Sequence, residues 1–404
     1  MMGVRTMTFS RLLAHRDFRI ALAVVLTAGA GLVAWTYRLN RQVALLQQAL
    51  DAAEAERRSF EGRVEGERRR AEANREDLES RIEHSRQREE ELRRRLADAA
   101  GGSEVRTLDA ELRQVRSRLV VLEAERAVGE RIIRDYGAGV CLIQGSYAFY
   151  DAEGRPLRYR VDGSGEKARE ADGSVAVAVE GAGPIHSVEA LGTGFLADRR
   201  GFVVTNRHVV EPWWRNEAAD ALAKDGYEPR LLVLRAFFPR IGEALRLELH
   251  RVSPEVDLAV LKVDLKGRRI PALPLDASGR GAVPGQPVVV VGYPTGLEAI
   301  LAKAESSVVQ QILSAQGTSN DRVTEALSRR GLIRPSTTQG HIGDVTSTDI
   351  VFDAATTQGG SGGPVFNKYG RVIGVEYAML PQFAGNSYGL PVRYALELIR
   401  PPRS

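Results

Sequence analysis

Between residues 38 and 131 the chain has no proline and is dense in Arg, Glu, Ala, Leu and Gln. A stretch of that length and composition reads as long α-helix, because it keeps every backbone donor and uses residues that lose little side-chain freedom in a helix. Any globular domain therefore has to lie beyond it. Heptads run through the stretch: Leu39, Val43, Leu46, Leu50, Ala53, Phe60, Val64, Ala71 and Leu78, then, after a four-residue stutter, Ile82, Leu92, Leu96 and Ala99. Gly101-Gly102 breaks the helix, and Val105, Leu108, Leu112, Val115, Leu119 and Leu122 form the cleanest seam. Arg57, Glu67 and Asn74 occupy seam positions in the first segment, which weakens pairing there. Two readings stand: a coiled coil over 38–131 that builds a parallel homo-oligomer, or a solvated spacer that holds the next domain at a distance.

Ahead of the helix, Ile20 to Tyr37 is an uncharged run of 18 residues, close to the length of a transmembrane helix. Arg5, Arg11, Arg16 and Arg19 precede it and Arg38 and Arg41 come after it, so charge mildly favours residues 1–19 as a short cytoplasmic segment. The rival is a cleaved signal peptide ending near Ala28-Gly29-Ala30. Either reading exports the remainder of the chain. The 56 Lys and Arg residues are nearly matched by 52 Asp and Glu, and both crowd into the first third. That is a mixed-charge helix and not a nucleic-acid footprint. The single cysteine, Cys141, excludes an internal disulfide and a cysteine-rich metal site, and its apolar neighbours read as a buried strand.

From Tyr136 the texture becomes β-rich, with short strand-like runs at Gly201 to Val204 and Leu231 to Leu234. Val288 to Val291 and Val372 to Val375 are fully apolar, as expected inside a closed barrel or a sandwich. Residues 152–185 read as a polar loop, residues 302–334 as a helical insertion of two short helices, and Val392 to Arg400 as a closing helix.

The strongest chemical signal is Gly359-Gly360-Ser361-Gly362-Gly363-Pro364. A nucleophilic serine for acyl transfer has to stand on a tight turn whose N–H groups aim at the developing oxyanion, and glycines leave that space open. The N–H groups of Gly359 and Ser361 are the expected donors. A bare glycine-serine turn between strands is the bland alternative, so the serine needs a base. His208 ends the second of two strand-like runs, Gly192 to Leu196 and Gly201 to Val210. A carboxylate to orient that imidazole is available in Asp257, at the entry to the apolar run Leu258 to Leu261, where an acid without a partner is costly. The order His, Asp, Ser, spaced by 49 and 104 residues, makes coincidence a poor explanation.

With these blocks in view, residues 136–404 resemble the trypsin-like serine peptidases, and most of all their HtrA/Deg branch. The matching segments are GTGF…GFVVTNRHVV, DLAVLKV, VVVVGYPTGL and DAATTQGGSGGPVFNKYGRVIGVEYA. The resemblance implies an all-β protease domain made of two perpendicular six-stranded barrels. His208 and Asp257 would come from the first, Ser361 from the second, and the enzyme would be a serine endopeptidase for protein or peptide substrates that needs no metal or cofactor. It also implies a specificity pocket lined by Ala354, Ala355, Glu376, Tyr377 and Ala378. With no acid at the pocket floor and Glu376 only at its edge, small or medium apolar residues are expected before the cleaved bond.

Three departures from the family pattern matter. Gly360 stands where digestive trypsins carry an Asp, so activation by a salt bridge to a new N-terminus is not expected. Members of the HtrA/Deg branch usually continue into a peptide-binding PDZ domain, whereas this sequence stops at Ser404, so regulation and substrate capture are expected from elsewhere, with the coiled coil as the candidate. The 302–334 insertion falls in a region that lies near the active site in this fold, either as a regulatory element or as surface decoration. Arg- and Ala-rich usage points to a bacterial chain, which puts the anchor in the inner membrane and the protease domain on its periplasmic side. The alternative of another class is a silent pseudo-protease serving as a membrane-anchored scaffold.

Overall fold

The computed structural model describes residues 79–99, 101–163, 167–170, 175–294, 296–316, 319–354, 359–379 and 387–400, with isolated positions 58, 62, 69, 76 and 77. The span expected at 20–37 and nearly all heptads before residue 79 lie outside them. Among the described residues no helix is long and apolar enough to cross a membrane.

Two helices open the described chain: α1 over 79–98 and α2 at Gly102–Tyr136. Gly101 is extended between them (φ −111°, ψ 134°), and the chain reverses there. Leu92 of α1 packs with Leu108 and Leu112 of α2, and Ile82 packs with Leu119 and Leu122, so the two seams close on each other as an antiparallel hairpin. Arg86 bonds Glu123 at 2.7 Å and Arg116 bonds Glu89 at 2.9 Å across the pair, but these exposed contacts are solvent-screened and the apolar seam decides the pairing. Over these residues the seam is therefore closed within the chain, and the earlier heptads expected to pair between chains lie outside the described residues. A heptad stripe specifies an apolar face, not its partner, and the glycine break supplies a partner in the same chain.

The helix also runs past the expected boundary at 131. Ile132 is fully buried, Val128, Ile133 and Tyr136 pack beside it, and the Tyr136 ring stacks on Phe366 at 5.8 Å. Its last turns thus belong to the core of the domain that follows.

The first strands are β1 (Val140–Tyr150), β2 (Arg158–Tyr159), β3 (Val177–Ala178), β4 (Ser187–Leu196) and β5 (Phe202–Thr205), then helices α3 (Arg207–Val210) and α4 (Glu217–Lys224). After them come β6 (Glu228–Phe237), β7 (Leu245–Val252), β8 (Ala259–Val263) and β9 (Pro287–Gly292). Helices α5 (Leu297–Ala302), α6 (Ser306–Gln316) and α7 (Asn320–Arg329) precede β10 (Ser336–Val345) and β11 (Ile350–Phe352). The chain then forms β12 (Pro364–Asn367), β13 (Val372–Met379), β14 (Ser387–Pro391) and α8 (Arg393–Ile399). Two closed six-stranded barrels result, in the orders β1-β4-β5-β8-β7-β6 and β10-β11-β14-β13-β12-β9.

Strand alternation explains the fully apolar runs. In β9, Val288 and Val290 fill the second barrel, while Val289 and Val291 join a separate core between barrels and helices. In β1, Cys141 and Ile143 point into the first barrel and Val140 and Leu142 into that shared core. Each strand is buried on both faces, so it has no polar side. Burial pushes the Cys141 thiol far above its ordinary range, as expected for an inert strand thiol.

The insertion has three helices, not two, and starts at Leu297 rather than 302. Leu297, Ile300, Ile312, Leu313, Val323 and Leu327 are buried in the shared core. Arg235 of β6 fastens α7 to the first barrel, bonding Glu325 at 2.9 Å, Gln144 at 3.0 Å, and Asp321. The expected loop at 152–185 contains the β2–β3 ribbon beside a small cluster of Tyr147, Phe149 and Leu157 with Trp213.

Candidate active site

Strand register brings the first two site residues together. β5 and β8 run antiparallel with Thr205 opposite Ala259, so three residues beyond Thr205 and two before Ala259 the chain delivers His208 and Asp257 to the same end of the barrel. His208 Nδ1 lies 2.6 Å from Asp257 Oδ2, and the His208 backbone N–H donates to Asp257 Oδ1 at 2.9 Å. Asn206 Nδ2 donates to the Asp257 carbonyl at 2.7 Å and holds the turn that carries the acid. Assigned from its carboxylate partner, the Nδ1 nitrogen carries the hydrogen, which leaves Nε2 with a lone pair. The His208 side chain is 38% exposed and Asp257 15%, so the base faces solvent and the acid sits behind it.

Ser361 comes from the second barrel on the turn that enters β12. Gly359 and Gly362 adopt φ of +93° and +89°, and a Cβ on Gly359 would meet Tyr293 O at 2.6 Å and Gly296 N at 2.7 Å. Side chains are excluded by both conformation and space. The turn is held on two sides. Gly362 N–H donates to Glu376 O at 2.8 Å and Glu376 N–H to Gly363 O at 2.9 Å, while Thr193 N–H of β4 donates to Ser361 O at 2.9 Å. Thr193 lies beside Thr205, whose hydroxyl donates to its carbonyl at 2.7 Å, so the nucleophile turn is pinned to the strand pair that leads to His208. Among the described residues the N–H groups of Gly359 and Ser361 donate to no protein acceptor.

The residues expected at the substrate pocket lie in the following surroundings. Ala354 is fully buried in the second-barrel core, and its carbonyl accepts from Ser387 Oγ at 2.8 Å. Ala355 and the Ala378 side chain lie outside the described set. Glu376 is buried behind the nucleophile turn, at a small cavity it lines with Val290, Gly292, Ser336, Thr338 and Gly360. Tyr377 is half-buried, and its hydroxyl donates to Asp349 Oδ1 at 2.7 Å. Burial and then that bond push the phenol well above its ordinary range. Among the described residues no cluster of His, Cys, Asp and Glu could hold a metal ion.

Thr193 and Asn206 were not singled out by sequence reasoning, although both fall inside quoted motifs. For Asn206 the available signal was a polar residue at the end of an apolar strand, whereas Thr193, between two glycines, offered none.

Two closed barrels with a paired His and Asp on one and a glycine-flanked serine on the other define the class of trypsin-like serine peptidases. Residues 192–375 match the family model described as a trypsin-like peptidase domain. The chain carries such a domain and is similar over it to DegP-type serine endoproteases. A probable periplasmic DegP-like serine endoprotease of Halomonas elongata is 31% identical over 218 residues, covering 53% of this chain and 35% of that protein. A putative serine protease HhoA of Synechocystis sp. is 28% identical over 204 residues, covering 50% and 41%. This chain thus spans well under half the length of these relatives. A serine endoprotease structure from Yersinia pestis covers 68% of this chain and 67% of its own at 18% identity and a TM-score of 0.39.

Proposed function

We propose that the protein is a serine endopeptidase that hydrolyses peptide bonds of protein substrates through Ser361, His208 and Asp257. The observation that carries the reading is the 2.6 Å contact between His208 Nδ1 and Asp257 Oδ2 at the barrel end to which the glycine-flanked turn of Ser361 is bonded. In the reaction, Ser361 Oγ adds to the substrate carbonyl carbon while its proton passes to His208 Nε2. The Gly359 and Ser361 N–H groups take the oxyanion, and Asp257 balances the imidazolium. Collapse breaks the C–N bond, with the His208 proton going to the leaving amine. Water then adds to the acyl carbon as His208 Nε2 takes its proton, and collapse breaks the C–O bond to Ser361, whose Oγ recovers that proton from His208 as the acid leaves.

The domain is proposed to work outside the cytoplasm in protein quality control or regulated proteolysis, tethered to the inner membrane by residues 20–37. Homo-oligomerisation is assigned to the heptads upstream of the hairpin. Names of periplasmic enzymes among the relatives support the compartment. The test is labelling of the purified chain with a fluorophosphonate probe beside Ser361→Ala, together with hydrolysis of an unfolded protein. Labelling and hydrolysis lost only in the variant support the reading; a folded wild-type protein that takes no label sinks it and favours the scaffold.

A further inference from the structure

One buried side chain outside the triad bridges the two barrels at the nucleophile. Thr193 is shielded from solvent on β4. Its hydroxyl donates to the Gly359 carbonyl at 2.7 Å and accepts from the Tyr293 N–H at 3.0 Å, while its backbone holds Ser361 O at 2.9 Å and accepts from Thr205 Oγ1 at 2.7 Å. Because Tyr293 N–H occupies a lone pair of Oγ1, the hydroxyl hydrogen is left pointing at Gly359.

The carbonyl so gripped belongs to the Gly359-Gly360 peptide, which lies between the two N–H groups assigned to the oxyanion. Glycine has no Cβ to restrain rotation there, so the plane of that peptide, and with it the angle between the donors, depends on what its carbonyl is bonded to. Thr205, the other partner, is three residues before His208. We propose that Thr193 is a positioning residue: its hydroxyl sets the oxyanion donors, while its backbone ties the nucleophile turn to the strand that presents the base. The catalytic consequence rests on the peptidase reading; the mechanical one does not.

The test compares Thr193→Val, which keeps the shape and deletes the hydroxyl, with Thr193→Ser, which keeps the hydroxyl, in the full chain. Phosphonate acylation gives kinact and KI, and hydrogen exchange reads the amides of residues 359–363. In Thr193→Val we expect kinact to fall about 10- to 100-fold with KI within about threefold, since donors displaced by a fraction of an ångström lose most of their effect. Exchange of the turn should quicken by on the order of tenfold, and Thr193→Ser should stay within about threefold of wild type in both. Should the valine variant fold poorly, Thr193→Ala, which leaves room for a water, is read the same way. Unchanged acylation and exchange in a folded Val or Ala variant overturns the proposal, as does an equal loss in Ser and Val. If wild type takes no label but exchange quickens in Val and not in Ser, the positioning role stands and the peptidase reading falls.

Discussion

Replacing Asp257 by Asn tests the site at its most constrained point. Both carboxylate oxygens of Asp257 accept from one residue: Oδ1 from the His208 backbone N–H at 2.9 Å and Oδ2 from Nδ1 at 2.6 Å. An amide can satisfy only one of these. If its oxygen keeps the backbone N–H, its NH2 faces Nδ1, the ring hydrogen moves to Nε2, and the imidazole has no lone pair for the Ser361 proton. In the flipped orientation the tautomer is correct, but two donors face each other at the half-buried backbone N–H, at a cost of about 1–3 kcal/mol. The productive orientation is thus depopulated roughly 10- to 100-fold. Loss of the anion beside the forming imidazolium removes on the order of a further 100-fold. Together kcat should fall between about 10³- and 10⁴-fold, or roughly 4–5.5 kcal/mol, with KM little changed. Single-turnover cleavage of a fluorogenic peptide measures it, with circular dichroism confirming the fold. A loss of less than tenfold in a folded variant would refute the tautomer argument and reduce Asp257 to a turn former.

Other expectations concern stability more than chemistry. Asp276 is buried before β9 and accepts from Ser278 Oγ at 2.6 Å and Gly281 N–H at 2.7 Å. Burial alone would raise its pKa, but the Ser278 and Gly281 bonds outweigh it and the net shift is downward. Its stabilisation is therefore complete above the ordinary carboxyl range near pH 4 and fades as pH falls through the lower folded value; acid denaturation followed by fluorescence should show a smaller slope below about pH 4 in Asp276→Asn, and an unchanged slope would discount the residue. Arg235→Met releases α7 from the first barrel, and because Asp321 and Glu325 are about half exposed the loss should be only about 1 kcal/mol, a Tm drop of roughly 2–4 °C by calorimetry. A drop several times larger would mean that the insertion unfolds as a unit. Leu92→Ala empties the hairpin seam and should cost about 2–5 kcal/mol of hairpin stability, seen as faster amide exchange over 79–122 with phosphonate labelling of Ser361 retained. Exchange that stays slow would show that Leu92 does not hold the hairpin closed.

Local rules made part of this fold readable and left the rest hidden. The nucleophile turn could be located because its constraint lies in the sequence itself: two positions with φ near +90° and no space for a Cβ leave only glycine. The His–Asp pair was legible for a related reason, since an acid at the mouth of an apolar strand requires a partner. Thr193 obeys no such local rule. Its hydroxyl is explained by a carbonyl 166 residues away, and a threonine between two glycines in a strand looks the same with or without that partner. The hairpin fails in the opposite way: the heptads give its apolar stripe clearly, but Ile82 is as well suited to a second chain as to Leu119 and Leu122. Nor could the stripe mark where the helix stops being a rod, because Ile132 is an apolar helical residue whichever core receives it. Its burial against the second barrel has a mechanical result. The helix runs unbroken from the hairpin to Tyr136, whose ring stacks on Phe366 of β12, the strand entered by the Ser361 turn. The hairpin and the nucleophile strand are thus joined by continuous helix, by the Tyr136–Phe366 stack and by the Arg131 bond to the Lys368 carbonyl at 3.0 Å, with no loop between them.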